Sequence, residues 1–308
     1  MAVVISNGLV ATFDEAMRLI ENGSVKIVDG MIAAVGPASN IRASPTDTLI
    51  DAGGCLVMPG FTNGHCHSIE VWGKGRTDRM PLEAWLEAIF PAIDRLPAEF
   101  IRVAVLLIAA EMLKTGVTSV VDHFRQTPAR LDAVEAAVGA YRECGMNASI
   151  AIMLRDRVIP KGIDLPTLRH QFSVDAQAEL CKEAIRMWHA PADGISIVLG
   201  PSAPHRCTDD LLEVVGDLSQ QFGINIHTHV DENLSQRLEA NEHYGCSTVR
   251  HLSELGLLGP RLSLAHVEAV SKLCHLENPK TDTTFLLRSP KTEKSRSTLR
   301  LTAGSAKL

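Results

Sequence analysis

Met58-Pro59-Gly60-Phe61-Thr62-Asn63-Gly64-His65-Cys66-His67 closes a short apolar run on two histidines spaced i, i+2. In an extended chain alternate side chains share a face, so His65 and His67 converge while Cys66 turns the other way. Neutral imidazole suits zinc, iron, copper or nickel better than calcium or magnesium. With twelve histidines in 308 residues, one such pair is a weak signal by itself. Its position at the end of a strand-like run is what gives it weight.

Working outward, short apolar runs at 56–58, 118–121, 148–153, 195–199, 224–226 and 262–265 alternate with amphipathic stretches at 82–90, 98–114, 129–143, 174–188, 209–222 and 236–244. Strand followed by helix, repeated, predicts a parallel sheet, either a (β/α) barrel or a doubly wound sheet. His65, His67, Asp122, His123, the segment from Pro201 to His205, His229 and His266 each stand at or just beyond the carboxyl end of a strand candidate. A barrel gathers those ends into one ring, whereas a doubly wound sheet spreads them along a crevice and usually opens on a Gly-rich phosphate turn that Pro59 to Gly64 does not form. The expected class is therefore α/β, a (β/α)8-type TIM barrel incomplete at about six strands. Ahead of it, residues 26–35 form two β-rich arms around Asp29-Gly30, which predicts a small β-sandwich segment. The expected organisation is 1–55 for that segment, 56–270 for the partial barrel and 271–308 for a basic Ser/Thr-rich tail.

Composition narrows the function. An apolar content of 45% in 308 residues is that of a soluble globular chain able to bury a large core. The net charge of −6, with no basic stripe before residue 270, disfavours nucleic acid and anionic membrane as partners and favours a small-molecule substrate. The most apolar segment, 103–110, is far short of the ~20 residues of a spanning helix. The start lacks a basic n-region and a long h-region, so a cytoplasmic location is the expectation. Seven scattered cysteines without a Cys-x-x-Cys pair point to reduced thiols.

A second motif, Ile226-His227-Thr228-His229-Val230-Asp231-Glu232, follows the fifth strand candidate. With a metal on His65 and His67, either His227 or His229 can close the third position. Zinc lowers the pKa of bound water from 15.7 to roughly 7, which supplies hydroxide at neutral pH. Glu232 is placed to carry protons from that water to a leaving group, work typically worth ~10²–10⁴ in rate. His266 is placed to orient the water or polarise the substrate. Asp122 and His123 serve equally well as a helix cap or as braces of the barrel mouth.

Residues 57–67 together with His229-Val230-Asp231-Glu232 and Leu264-Ala265-His266 resemble the amidohydrolase superfamily, and within it the cytosine deaminase, adenosylhomocysteine deaminase and triazine chlorohydrolase group. The resemblance extends over residues 1 to about 270. It implies one divalent ion, zinc or iron, held by His65, His67 and His229, with Glu232 as proton shuttle and His266 beside the hydrolytic water. It further implies substrate contacts from His205, Trp85 and Arg155. The implied chemistry is hydrolytic removal of an amino or halide group from a nitrogen heterocycle.

The family pattern ends its metal set on an aspartate after an eighth strand, and the sequence offers six strands. Asp282 follows no apolar run. From Ser271 the chain carries eight Lys or Arg against three Asp or Glu, a change that suggests a shifted frame, an alternative exon or an interrupted gene. Two expectations follow: an open barrel that associates, for instance as a homo-oligomer, and an alternative role as a catalytically inactive paralogue acting as a binding or assembly module.

Overall fold

The computed structural model describes residues 2–126, 128–157, 172–267, 274–278, 283–287 and 299–300. The chain divides into two compact units, Met1–Phe61 and Thr62–Leu308. Asp282, His170 and most of 271–308 lie outside the described residues.

The first unit is a sheet of β1 (Ala2–Ala11), β2 (Leu19–Val28), β3 (Met31–Pro37) and β4 (Thr48–Asp51), ordered β3-β2-β1-β4, with β5 (Leu56–Val57) also paired to β1. Asp29 and Gly30 both take positive φ, 49° and 77°, between antiparallel β2 and β3. That is the pair of left-handed residues a two-residue hairpin turn requires, as the Asp-Gly dipeptide predicted.

Among the described residues, the second unit is built on six strands in sequential order, with a short further strand at one edge. They are β6 (Phe61–Cys66), β7 (Val117–Phe124), β8 (Asn147–Leu154), β9 (Ile195–Pro201), β10 (Ile226–Val230) and β11 (Leu262–His266). Registers from β7 through β11 are parallel, and the sheet curls into a nearly closed, incomplete TIM barrel. Helices α1 (Leu82–Ile93), α2 (Ala98–Lys114), α3 (Leu131–Cys144), α4 (Val174–Trp188), α5 (Asp209–Phe222), α6 (Leu234–Tyr244) and α7 (Thr248–Glu254) connect the strands. Ser173, Thr208, Asn233 and Ser247 each accept a backbone N–H at the start of α4 to α7, caps worth ~1 kcal/mol apiece. Further on, β12 (Cys274–Asn278) pairs antiparallel with β13 (Thr283–Leu287), and the two-residue β14 (Leu299–Arg300) lies antiparallel to β11.

Strand alternation separates core from site. Ile150, Ile152 and Leu154 of β8, with Ile195, Ile197 and Leu199 of β9, belong to the apolar core shared with the helices. The intervening set forms rows across the sheet, such as His123, Ala151 and Val198 in register, and these residues are buried without joining that core. At Gly200 the β8 backbone comes so close that a Cβ would stand 2.6 Å from the Ile152 carbonyl oxygen.

Two sequence expectations are corrected here. The apolar run at 56–58 is not the first barrel strand: Leu56 and Val57 pair with Leu9 and Val10, and the barrel begins with β6 beyond Pro59-Gly60. β6 carries Asn63 and His65 where a core strand carries aliphatics, so hydrophobicity passes it over. The run at 224–226 likewise marks only the entrance to β10, whose fully buried His227, Thr228 and His229 conceal the strand. Helix α7 was also missed; its seven residues are too few to show a period.

Candidate metal centre and active site

The ligand atoms of His65, His67 and His229 all lie within 4.8 Å of one another. His65 is in β6 and His67 one residue beyond it; the alternation of an extended chain puts both rings on one side. His229 reaches the same point from the carboxyl end of β10. His67 Nδ1 donates to the His123 carbonyl at 2.7 Å and His229 Nδ1 to the Ser202 carbonyl at 2.6 Å. A carbonyl only accepts, so in the neutral rings the proton is on Nδ1 and the lone pair on Nε2.

Those two Nε2 atoms stand 3.1 Å apart. Burial, the first cause, lowers both pKa values, that of His229 well below the ordinary imidazole range, so a proton shared between the rings is disfavoured. Two lone pairs facing each other at that distance repel unless a cation sits between them. Nitrogens ~2.05 Å from a tetrahedral zinc stand about 3.3 Å apart, close to the spacing found. His65, pushed down to about 2 by burial and by the neighbouring His67, His227 and His266, completes a neutral three-nitrogen set. The donors therefore fit a divalent transition metal.

His227 is directed elsewhere. Its Nε2 is 2.8 Å from His65 Nδ1 and its Nδ1 is 3.0 Å from Ser263 Oγ. His123, fully buried in β7, forms no hydrogen bond of ordinary geometry through either ring nitrogen. Burial first, then the surrounding histidines, keep it neutral, and the nearby Pro201 carbonyl opposes this only weakly. Asp122 braces the mouth: it accepts the Ser68 N–H at 3.0 Å and the Tyr141 O–H at 2.9 Å, fixing the turn that leaves His67.

His266 and Glu232 face the trio. The His266 ring stacks on His229, with centroids 5.4 Å apart, and its Nε2 is 3.6 Å from Glu232 Oε1. The backbone is strained at His266 and just before Glu232: His266, Val267 and Asp231 have φ of 70°, 58° and 46°. Left-handed non-glycine residues cost of order 1–3 kcal/mol and concentrate where a side chain must be aimed. Thr248 donates to Asp231 at 2.6 Å and holds the second of these turns.

A cavity of about 460 Å³ opens over this wall. Leu82, Trp85, Leu86 and Phe90 from α1, with Met153, give it an apolar side; Arg125 and Arg206 supply positive charge and Glu70 a carboxyl group. Arg125 is 1% exposed, bonded twice to Asp94 at 2.9 and 3.0 Å, and lies 3.0 Å above the Phe90 ring centroid. The Glu70 carboxyl is pushed up to about 8 by burial.

Of the sequence-predicted residues, the structure gathers His65, His67, His229, Glu232, His266 and Trp85 around one cavity. His205 and Arg155 are not among its lining residues. His205 is buried, and burial first, then the Arg206 charge, lowers its pKa to about 3; Arg155 is half-buried, and desolvation with the nearby Arg125 charge lowers it to about 10. Sequence reasoning missed Glu70, Phe90, Arg125 and Arg206. Arg125 carried a usable signal, a charged residue at the carboxyl end of a strand.

The chain is 31% identical over 272 residues to a 5-methylthioadenosine/S-adenosylhomocysteine deaminase of Syntrophobacter fumaroxidans, covering 88% of this chain and 58% of the relative. It is 33% identical over 266 residues to a 5'-deoxyadenosine deaminase of Methanosarcina acetivorans, covering 86% and 57%. Among solved structures, an atrazine chlorohydrolase from Arthrobacter aurescens complexed with zinc superposes with a TM-score of 0.78 at 23% identity, covering 87% of this chain and 61% of that one. The chain spans less than two thirds of the length of each. The model of the amidohydrolase family matches residues 56–295, and the chain belongs to that family.

Proposed function

We propose that this chain carries the metal and proton-transfer wall of a hydrolase that removes an amino or halide group from a nitrogen heterocycle. The observation that carries the reading is the convergence of three neutral histidines, with Glu232 and His266 3.6 Å apart on the same wall. His65, His67 and His229 would hold the ion, zinc or iron; catalytic zinc sites use three protein ligands and keep a fourth position open. When bound, such an ion lowers the pKa of water to about 7. Glu232 takes a proton from the attacking water and delivers it to the ring nitrogen or leaving group. His266 donates or accepts beside the reacting carbon, and the Trp85 side of the cavity packs the flat face of the heterocycle. His205 and Arg155 remain the further candidates for contact with the substrate. The names of the two deaminase relatives and of the chlorohydrolase support the substrate class.

Elemental analysis of protein expressed with zinc or iron tests the centre, followed by release of ammonia from 5'-deoxyadenosine or 5-methylthioadenosine and of chloride from atrazine. Glu232→Gln is expected to lower turnover by ~10²–10⁴ with metal content unchanged. Absence of stoichiometric metal, or full activity in Glu232→Gln, refutes the reading. A binding or assembly role is the second reading. It is favoured by the trio being the one metal-binding group of three or more ligands among the described residues, with no aspartate joined to it. Stoichiometric metal without turnover of any of these substrates would support it.

A further inference from the structure

The three rings of the trio are not anchored alike. His67 and His229 are held through Nδ1 by backbone carbonyls, of His123 and Ser202, whose character no side-chain change alters. His65 is held through Nδ1 by another side chain, His227, at 2.8 Å, and His227 in turn meets Ser263 at 3.0 Å. The parallel register of β10 and β11 places His227 directly opposite Ser263, so sheet pairing itself builds the contact. His227 is 1% exposed, and water cannot substitute for either partner.

An imidazole nitrogen accepts or donates according to its tautomer, so the proton on His65 depends on which way this chain of three groups runs. Only one direction matches the other two rings. Ser263 Oγ accepts from His227 Nδ1–H, His227 Nε2 accepts from His65 Nδ1–H, and the lone pair of His65 is left on Nε2. In the reverse direction Ser263 donates, His227 Nε2–H donates to His65 Nδ1, and His65 Nε2 bears a proton that no cation tolerates.

We infer that His227 is a positioning residue: fixed by Ser263, it accepts the His65 Nδ1 proton and so presents His65 Nε2 to the divalent ion shared with His67 and His229. The inference rests on the metal reading proposed above. It assigns the first histidine of His227-Thr228-His229 to the hydrogen-bonding shell and the second to the ion.

The test reads metal binding. Cobalt(II) is titrated into metal-free protein, with affinity measured by chelator competition and geometry by visible absorption, for the unaltered chain and for His227→Leu, His227→Gln, Ser263→Ala and His67→Ala. Loss of an orienting partner of this kind costs ~10–100-fold in metal affinity. His227→Leu is expected to show that loss with an altered cobalt spectrum. Ser263→Ala should show a smaller loss, and His227→Gln, whose amide oxygen accepts a hydrogen bond from His65 Nδ1–H, should recover most of the affinity. Long-range proton–nitrogen spectra of the zinc-loaded unaltered chain should show His65 protonated on Nδ1, a readout independent of any variant that fails to fold. Wild-type affinity and spectrum in both His227→Leu and Ser263→Ala overturn the inference, as does His65 protonated on Nε2. Loss in His227→Gln as complete as in His67→Ala makes His227 a ligand and also overturns it. If the unaltered chain binds no cobalt, it is the metal reading that has failed.

Discussion

Removing Asp94 should damage the fold far more than removing the arginine it pairs with. Arg125 is 1% exposed and Asp94 19%, with two bonds of 2.9 and 3.0 Å between them. At an effective dielectric constant of 20, unit charges ~4 Å apart attract by about 4 kcal/mol. In Asp94→Ala the guanidinium stays buried over Phe90 without its counter-ion, and stranding a buried charge costs about 3–5 kcal/mol. In Arg125→Met the carboxylate left behind can turn toward solvent, and methionine fills similar space, so the expected cost is about 1–2 kcal/mol, in the usual range for point substitutions. The double variant Asp94→Leu with Arg125→Met strands no charge and should lie within about 1 kcal/mol of the starting protein. Urea unfolding under chelating conditions, with comparison of m-values, measures all three. If Arg125→Met costs more than Asp94→Ala, or if the double variant is the least stable, the reasoning from unequal burial is wrong.

Burial raises the Glu70 carboxyl to about 8, above its ordinary 4.5, so the folded metal-free protein binds a proton there that the unfolded chain has released. Its stability should therefore fall as pH rises from about 4.5 to about 8 and level off beyond, a dependence that Glu70→Gln removes when unfolding is followed across that range. Gly200→Ala should cost about 1–3 kcal/mol, because the added Cβ would meet backbone atoms of β8 at 2.6 and 2.9 Å that cannot give way; unchanged stability in urea would contradict this close approach. Free zinc at 1,000 times its Kd should stabilise the chain by about 4.1 kcal/mol, and His67→Ala should abolish that increment in a thermal melt while leaving the chelated Tm nearly unchanged.

The sequence alone determined the class of fold and pointed to the candidate ligands His65 and His67. Repeated strand and helix periods require a parallel sheet, and polar residues stationed at the ends of successive strands make sense only where those ends converge. His65-x-His67 and His229-x-x-Glu232 were legible because alternation and turn geometry act over a few residues. The tertiary structure decided the rest, since it depends on which residues of different strands become neighbours. The β6 strand and most of β10 carry their polar side chains into the barrel, so hydrophobicity placed the first barrel strand too early and marked only the start of the fifth. Spacing alone left open whether His227 or His229 joins the trio, both lying on the same side of one strand, and only the family resemblance pointed to His229. Register gives the physical reason: Ser263 stands opposite His227, whereas Ala265 stands opposite His229 and the Ser202 carbonyl holds its Nδ1, turning Nε2 toward His67. The places of Glu70 and Arg206 in the cavity lining were invisible, because burial and pairing belong to the folded neighbourhood and not to the chain, whereas Arg125 at a strand end left a signal that was passed over.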